Sequence, residues 1–346
     1  MTITRVLITD DNDFQRLMLR QLFAADPQID VIGEASNGAE AVALTGQLKP
    51  DLVTMDICMP GMDGFEAIER IMQSHATPIL VITSRGDAET AFAAISKGAL
   101  EVFPKPDIDA FDSDELTRKI KSLARVQVVR HIRGVKSKPT TCLPAPVCAY
   151  KHPVRIIAIA ASTGGPKTLA AILGALPATL PVPIVIAQHI TSGFDIGLAE
   201  WLNTICALTV CMGTPGDRMM PGHAYLAPAD RHMRIDNDGC LELTPIGSAD
   251  IYKPSCDALL SSAADCFGRN CIGVILTGMG NDGVAGLAKI KAAGGCTLAQ
   301  SRSSCIIYGM PKIAIESDVV DRVLDPAQIS DALQHACGGM AATIPQ

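Results

Sequence analysis

The stretch from Ile156 to Pro166 reads IIAIAASTGGP, an apolar run that ends in Ser162 and is followed by Gly164 and Gly165. Immediately after it, the segment from Lys167 to Leu176 places Leu169, Ile172, Leu173 and Leu176 on one helical face. This is the pattern of a buried parallel strand, a tight turn and a helix, with the Ser162 hydroxyl at the carboxyl end of the strand. The glycines permit positive φ or a close approach of backbone to a ligand. Free N–H groups at the start of the helix can meet a developing negative charge. Taken alone, the stretch also fits a Gly-rich anion site or a plain turn.

Two more buried-strand runs supply partners. Pro183-Ile-Val-Ile-Ala is followed by Gln188 and His189, and the run from Cys271 to Leu276 leads into the glycine-rich TGMGNDG, which carries Asp282. Parallel sheets concentrate functional groups at the carboxyl ends of their strands, so Ser162, His189 and Asp282 are expected at one sheet edge. The chemistry needs that combination. A serine hydroxyl becomes a good nucleophile when an imidazole takes its proton, and an acid on the other ring nitrogen fixes the tautomer. Histidine suits the task because its ordinary pKa lies near neutrality. The chain order Ser, His, Asp and the absence of G-x-S-x-G exclude an ordinary α/β-hydrolase. His223 and His232 are rival bases in a stretch, Pro221–Arg234, that reads as irregular and turn-rich. Asp257 is a rival acid at what reads as a helix start.

Toward the N-terminus, Arg5–Thr9, Val31–Ala35, Leu52–Met55, Ile79–Thr83 and Glu101–Phe103 read as strands alternating with helical patterns. The alternation predicts a parallel α/β sheet covered on both faces. Its strand ends carry Asp10 and Asp11, then Asp56, Thr83 and Lys105. Three gathered carboxylates repel one another unless a cation joins them, and an all-oxygen set suits magnesium. Asp56 is then a candidate phosphoryl acceptor, with Thr83 and Lys105 gripping the phosphoryl oxygens. From about Ala124 to Pro153 the chain mixes basic residues with Pro139, Pro144, Pro146 and Pro153, the composition of an extended connector.

The 346 residues suggest about two domains. A formal net charge of −7 argues against nucleic acid as a partner. No apolar run reaches the roughly 18–20 residues that cross a bilayer, and the acidic N-terminus does not resemble a signal peptide. The twelve cysteines never form C-x-x-C, which favours buried thiols in a reducing cytoplasm over zinc sites or a disulfide framework.

Residues 5–123 resemble a response-regulator receiver domain, through the Asp10-Asp11 pair, the MDICMPGMDG segment around Asp56, and Lys105-Pro106. The resemblance implies a (βα)5 flavodoxin-like fold over residues 1–123 and phosphorylation of Asp56. It also implies magnesium held by Asp11, Asp56 and the Cys58 carbonyl with Asp10 assisting, and a cis bond before Pro106. The family's switch aromatic aligns with Val102, while Phe103 falls one place later and so on the opposite face; the resemblance does not extend to an aromatic-swing relay. Residues 154–337, in a second domain taken as 154–346, resemble the catalytic domain of the chemotaxis protein-glutamate methylesterases. The matching pieces are ASTGGP, the strand ending in QH, PGDR, PGHAYLAPADRHM, Tyr252-Lys253-Pro254-Ser255 and LTGMGNDG.

That second resemblance implies another doubly wound, mostly parallel α/β domain after a linker at 124–153. It implies Ser162 as nucleophile, His189 as base, Asp282 as orienting acid, and the N–H groups of Met279 and Thr163 as oxyanion donors. The expected activity is hydrolysis of glutamate γ-methyl esters on chemotaxis receptors, with deamidation of receptor glutamines and no cofactor for the ester chemistry. A chemotaxis histidine kinase is the expected phosphodonor, and no membrane insertion is expected. Two other classes compete: a non-enzymatic, phosphorylation-controlled binding module, and a receiver driving a DNA-binding output. The intact Ser, His, Asp set argues against the first, and the lack of a basic recognition helix against the second.

Overall fold

The computed structural model describes residues 3–84, 88–105, 113–126, 128, 152–247 and 250–338, and the chain divides into two compact units, residues 1–140 and 141–346. Most of the connector expected over 124–153 lies outside the described residues, as does Pro106 with the cis bond expected before it.

The first unit alternates β1 (Thr4–Thr9), α1 (Asp13–Ala24), β2 (Ile29–Ala35), α2 (Gly38–Leu48), β3 (Leu52–Met55), α3 (Gly64–Ser74), β4 (Ile79–Thr83), α4 (Ala88–Lys97), β5 (Glu101–Pro104) and α5 (Ser113–Leu123). Its five strands pair in parallel in the order β2-β1-β3-β4-β5, the flavodoxin-like arrangement. Polar residues between strand and helix start the helices. Asn12, Asn37 and Asp63 each accept a hydrogen bond from an N–H in the first turn of α1, α2 and α3, which satisfies donors that the helix leaves free. Strands β1, β3 and β4 therefore end together, beside Asp10, Asp56 and Thr83.

In the second unit come β6 (Ile156–Ala161), α6 (Gly165–Leu173), β7 (Ile184–Gln188), α7 (Asp195–Ile205), β8 (Thr209–Met212), β9 (His223–Leu226), β10 (Arg231–Ile235), β11 (Leu241–Pro245) and α8 (Cys256–Phe267). They are followed by β12 (Cys271–Ile275), α9 (Val284–Ala292), β13 (Cys296–Gln300), α10 (Met310–Glu316), β14 (Arg322–Leu324) and α11 (Pro326–Gly338). Seven strands form a parallel sheet in the order β14-β13-β12-β6-β7-β9-β8, and β10 pairs with β11 as a separate antiparallel ribbon.

Strand β6 is buried along its whole length between β12 and β7, which is why its sequence is apolar without alternation. Ile156, Ala158 and Ala160 share a core with Leu259, Leu260 and Ala263 of α8 and with Leu287 and Ile290 of α9. Alanines at 158 and 160 leave room for those larger side chains. The expected helix face holds, since Leu169, Ile172, Leu173 and Leu176 are all buried. One expectation is overturned: Pro221–Arg234 is not irregular but contains β9 and most of β10. The four residues of β9 are too few for a periodic signal, and the turn residues on either side dominate the stretch.

The turn after β6 is tightly packed. A Cβ on Gly165 would stand 1.8 Å from Oε1 of Gln188, a side chain that is 1% exposed and unable to swing away. Gly165→Ala is expected to lower stability by about 1–3 kcal/mol, the usual cost of overpacking. Urea denaturation of the second unit's transition checks this.

Candidate active site

Three strand ends meet around Ser162. The Ser162 N–H donates to the Thr277 carbonyl (3.0 Å) just past β12, and Gln188 Nε2 at the end of β7 donates to the Ser162 carbonyl (2.8 Å). Gly164 adopts φ +81°, which turns the chain into α6. Gly278 completes the crowding, because a Cβ there would lie 2.5 Å from Ser162 Cβ. Thr277 Oγ1 donates to the Thr163 carbonyl (3.0 Å) and accepts from the Ile307 N–H (2.9 Å). The Ser162 turn and the 277–279 turn are thus locked together. Neither Met279 nor Thr163 uses its N–H in a backbone hydrogen bond among the described residues.

His189 extends β7, its N–H donating to the Ala161 carbonyl (3.0 Å). Its Nε2 lies 2.7 Å from Asp282 Oδ2, and its ring stacks on Tyr252 at 5.1 Å between centroids. Tyr252 in turn donates its hydroxyl to Asn281 Oδ1 (3.1 Å), beside Asp282. The ring therefore has one nitrogen committed to the carboxylate, and Nδ1 makes no hydrogen bond among the described residues. Among the described residues no hydrogen bond joins Ser162 Oγ to His189.

Asp282 is 3% exposed, and its charge is met by the His189 ring, two backbone N–H groups and a hydroxyl. The N–H groups of Cys256 (2.6 Å) and Asp257 (2.9 Å) at the start of α8 donate to it, as does Ser255 Oγ (3.2 Å). Asp257 does the reverse service, accepting from the Gly286 N–H (2.7 Å) in the first turn of α9. The two carboxylates are exchanged between neighbouring helices, each sitting at the other helix's positive end. Burial works against the Asp282 charge, but the His189 hydrogen bond and the two N–H donors outweigh it and hold the carboxyl below its ordinary value. Burial, with the nearby Asp282 charge, raises Asp257 instead.

The rival residues have other occupations. Nδ1 of His223 lies 3.0 Å from the Pro221 carbonyl. His232 accepts the Ser255 N–H on Nδ1 (2.9 Å) and meets Asp250 on Nε2 (3.0 Å), so it holds the turn that presents Tyr252 and Ser255. His232, read as a rival base, supports the Tyr252–Ser255 turn instead; Gln188, Tyr252 and Ser255 are supporting residues quoted within motifs without being given a task. Their only advance signal was position, next to His189 or within the Tyr252–Ser255 turn.

In the first unit, Lys105 Nζ lies 2.8 Å from both Asp10 Oδ2 and Asp56 Oδ2. Asp10, Asp11 and Asp56 offer carboxylate oxygens within 4.8 Å of one another. Burial pushes the Asp56 carboxyl up, Lys105 pulls it down, and the Asp10 charge adds to the rise, which leaves it above the ordinary value. Three carboxylates facing one lysine carry surplus negative charge, and the donors are all oxygen, which fits magnesium. Thr83 Oγ1 is buried with no hydrogen-bond partner among the described residues. Cys58 is exposed two residues after Asp56. Val102 and Phe103 are both buried, and Lys119, paired with Glu101, sits 5.7 Å over the Phe103 ring.

The depressed Asp282 carboxyl has a pH consequence. A carboxyl lowered by folding stabilises the fold above its unfolded value of about 3.9, and that stability is lost as pH falls through the lower folded value. Wild type is expected to exceed Asp282→Asn in stability at neutral pH, with the gap closing below about pH 4. Urea midpoints of both proteins across that range check the outcome.

Comparison with known proteins gives a consistent picture. The response regulator receiver domain family matches residues 6–121, and the CheB methylesterase family matches residues 157–333. A protein-glutamate methylesterase/protein-glutamine glutaminase of Paramagnetospirillum magneticum is 44% identical over 98% of both chains. One from Myxococcus xanthus is 40% identical over 97% of both. The crystal structure of the Thermotoga maritima CheB methylesterase catalytic domain is 36% identical and superimposes with a TM-score of 0.51, covering 53% of this chain and 99% of that one. With both domains matched in order and the likeness running the full length, the chain belongs to the CheB methylesterase family, with a receiver domain ahead of the methylesterase domain.

Proposed function

We propose that the chain is a phosphorylation-regulated serine esterase that hydrolyses glutamate γ-methyl esters on chemotaxis receptors and deamidates receptor glutamines. The observation that carries this reading is the His189–Asp282 pair, anchored on the α8 N-terminus and set at the same sheet edge as the Ser162 turn. Asp282 holds Nε2 protonated, so Nδ1 keeps its lone pair and acts as the base. Ser162 Oγ attacks the ester carbonyl carbon while its proton passes to Nδ1. Negative charge on the carbonyl oxygen falls to the N–H groups of Met279 and Thr163, donors fixed in advance by the locked turns. The imidazolium, stabilised by Asp282, then protonates the departing methoxide as methanol. Water repeats the sequence on the acyl-serine and releases the glutamate carboxylate. With a glutamine, ammonia leaves in place of methanol.

The receiver supplies control. Asp11, Asp56 and the Cys58 carbonyl would hold Mg²⁺, which when bound neutralises charge on the entering phosphoryl group. Asp56 accepts the phosphoryl group from a histidine kinase, and Lys105 and Thr83 hold its oxygens. Phosphorylation adds about −1.5 to −2 charge at this edge. A tenfold change in esterase rate requires only about 1.4 kcal/mol of bias between two states.

Two outcomes test the reading. Ser162→Ala, folded, is expected to lose methanol release from methyl-labelled receptor by on the order of 10⁴-fold, because residues of such a set act as a unit. Turnover near wild type in that variant would place the nucleophile elsewhere. Asp56→Asn should take no label from a small-molecule phosphodonor with magnesium, and its esterase rate should not respond to the donor that accelerates wild type. Labelling of the variant at full stoichiometry would move the acceptor to Asp10 or Asp11.

A further inference from the structure

Cys256 opens α8 with its thiol wholly buried beside the catalytic imidazole. Sγ lies 3.4 Å from His189 Nε2, and the Sγ, Nε2 and Asp282 oxygen atoms are all within 4.8 Å of one another. The thiol also points at the Ala187 carbonyl (3.4 Å), a contact that a small buried residue makes without any ligand. Among the described residues, only one other group of three such side chains is close enough to hold an ion, the carboxylates of the receiver. The two groups differ in kind. The receiver offers oxygen alone, whereas this one offers sulfur, imidazole nitrogen and oxygen, the donor set that zinc selects.

We propose that His189, Cys256 and Asp282 form an inhibitory binding site for a thiophilic divalent cation, zinc above all; the inhibitory consequence rests on the triad reading given above. A tetrahedral zinc with its ordinary bond lengths separates a nitrogen and a sulfur ligand by about 3.5 Å, and a nitrogen and an oxygen ligand by about 3.3 Å. The Sγ–Nε2 distance of 3.4 Å already matches. The Nε2–Oδ2 distance of 2.7 Å must open as the metal replaces the proton held there. Charge also balances: the zinc dication, a Cys256 thiolate, the Asp282 carboxylate and a neutral imidazole sum to zero, which suits a buried site. The thiol releases one proton to solvent, and the imidazole proton moves from Nε2 to Nδ1. Water takes the fourth position. Burial and the Asp282 charge hold the Cys256 thiol well above its ordinary pKa, so the metal must be present before the sulfur ionises.

Inhibition follows from the same bookkeeping. With zinc on Nε2 the proton sits on Nδ1, and the nitrogen proposed to deprotonate Ser162 has no lone pair to offer. The carboxylate that stabilised the imidazolium is occupied as well.

The test uses the full-length protein in excess magnesium, which occupies the receiver cluster. Cobalt(II) is added as a spectroscopic probe, and zinc is titrated against methanol release, each protein normalised to its own metal-free rate. Wild type, Cys256→Ser and Cys256→Ala are compared. The expected result is a thiolate-to-cobalt charge-transfer band that zinc displaces and that both variants lose. The zinc concentration for half-inhibition should rise by about tenfold or more in the variants, since even supporting residues of a metal site are worth on the order of 10–100-fold. A band of equal intensity in all three proteins, or no band in wild type, overturns the site. A Cys256-dependent band with methanol release indifferent to zinc overturns the inhibitory role, whereas the triad itself stands or falls with Ser162→Ala. Two substitutions are used because either alone can perturb the start of α8, and agreement between them separates loss of the ligand from loss of packing.

Discussion

The catalytic domain depends on a buried negative charge placed where backbone can hold it. Asp282 lies beyond β12, yet its carboxylate belongs to α8, receiving the N–H groups of Cys256 and Asp257. A buried carboxylate without partners would take up a proton; this one is kept charged by dipoles that cannot move away. Because α8 shares a core with β6, α9 and β12, its position is set by many apolar contacts. The carboxylate inherits that rigidity and passes it to the His189 ring. The Asp257 carboxylate, reaching from α8 to the start of α9, makes the arrangement reciprocal, so the two helices cannot shift without uncovering both carboxylates.

The receiver handles negative charge in the opposite way. There Asp10 and Asp56 share one lysine, and burial adds to their mutual repulsion. The cluster carries surplus negative charge and calls for a cation, whereas the Asp282 carboxylate is already satisfied. The contrast supports the proposed division, with a divalent ion held in the receiver and none taking part in the ester chemistry. It also bears on the site proposed at Cys256, where a thiol lies beside an imidazole and a carboxylate.

Much of this was legible in the chain itself, for a physical reason. Buried parallel strands are largely apolar, so β1, β3, β6, β7 and β12 announce themselves and the polar residues that end them stand out. Asp10, Asp56, Ser162, His189 and Asp282 stand out as candidates in that way. The (βα)5 order of the first unit followed from the same alternation. What stayed hidden depends on contacts between distant segments. Nothing near Asp257 says that its carboxylate serves α9, and nothing near His232 says that it holds the Ser255 N–H. Cys256 reads as a small apolar residue until α8 is folded against His189. Strands β9 and β10 were misjudged because four or five residues flanked by proline and glycine carry more turn signal than strand signal.

The central claim is that Asp282 commits Nε2 of His189 and so makes Nδ1 the basic nitrogen. Imidazole nitrogen resonances of isotope-labelled histidine, with His189 assigned by its loss in His189→Gln, measure this directly in the resting enzyme near neutral pH. The account expects a protonated Nε2, its proton shifted by a strong hydrogen bond to carboxylate, and an unprotonated Nδ1. A resting enzyme with the proton on Nδ1 and a bare Nε2 would contradict it.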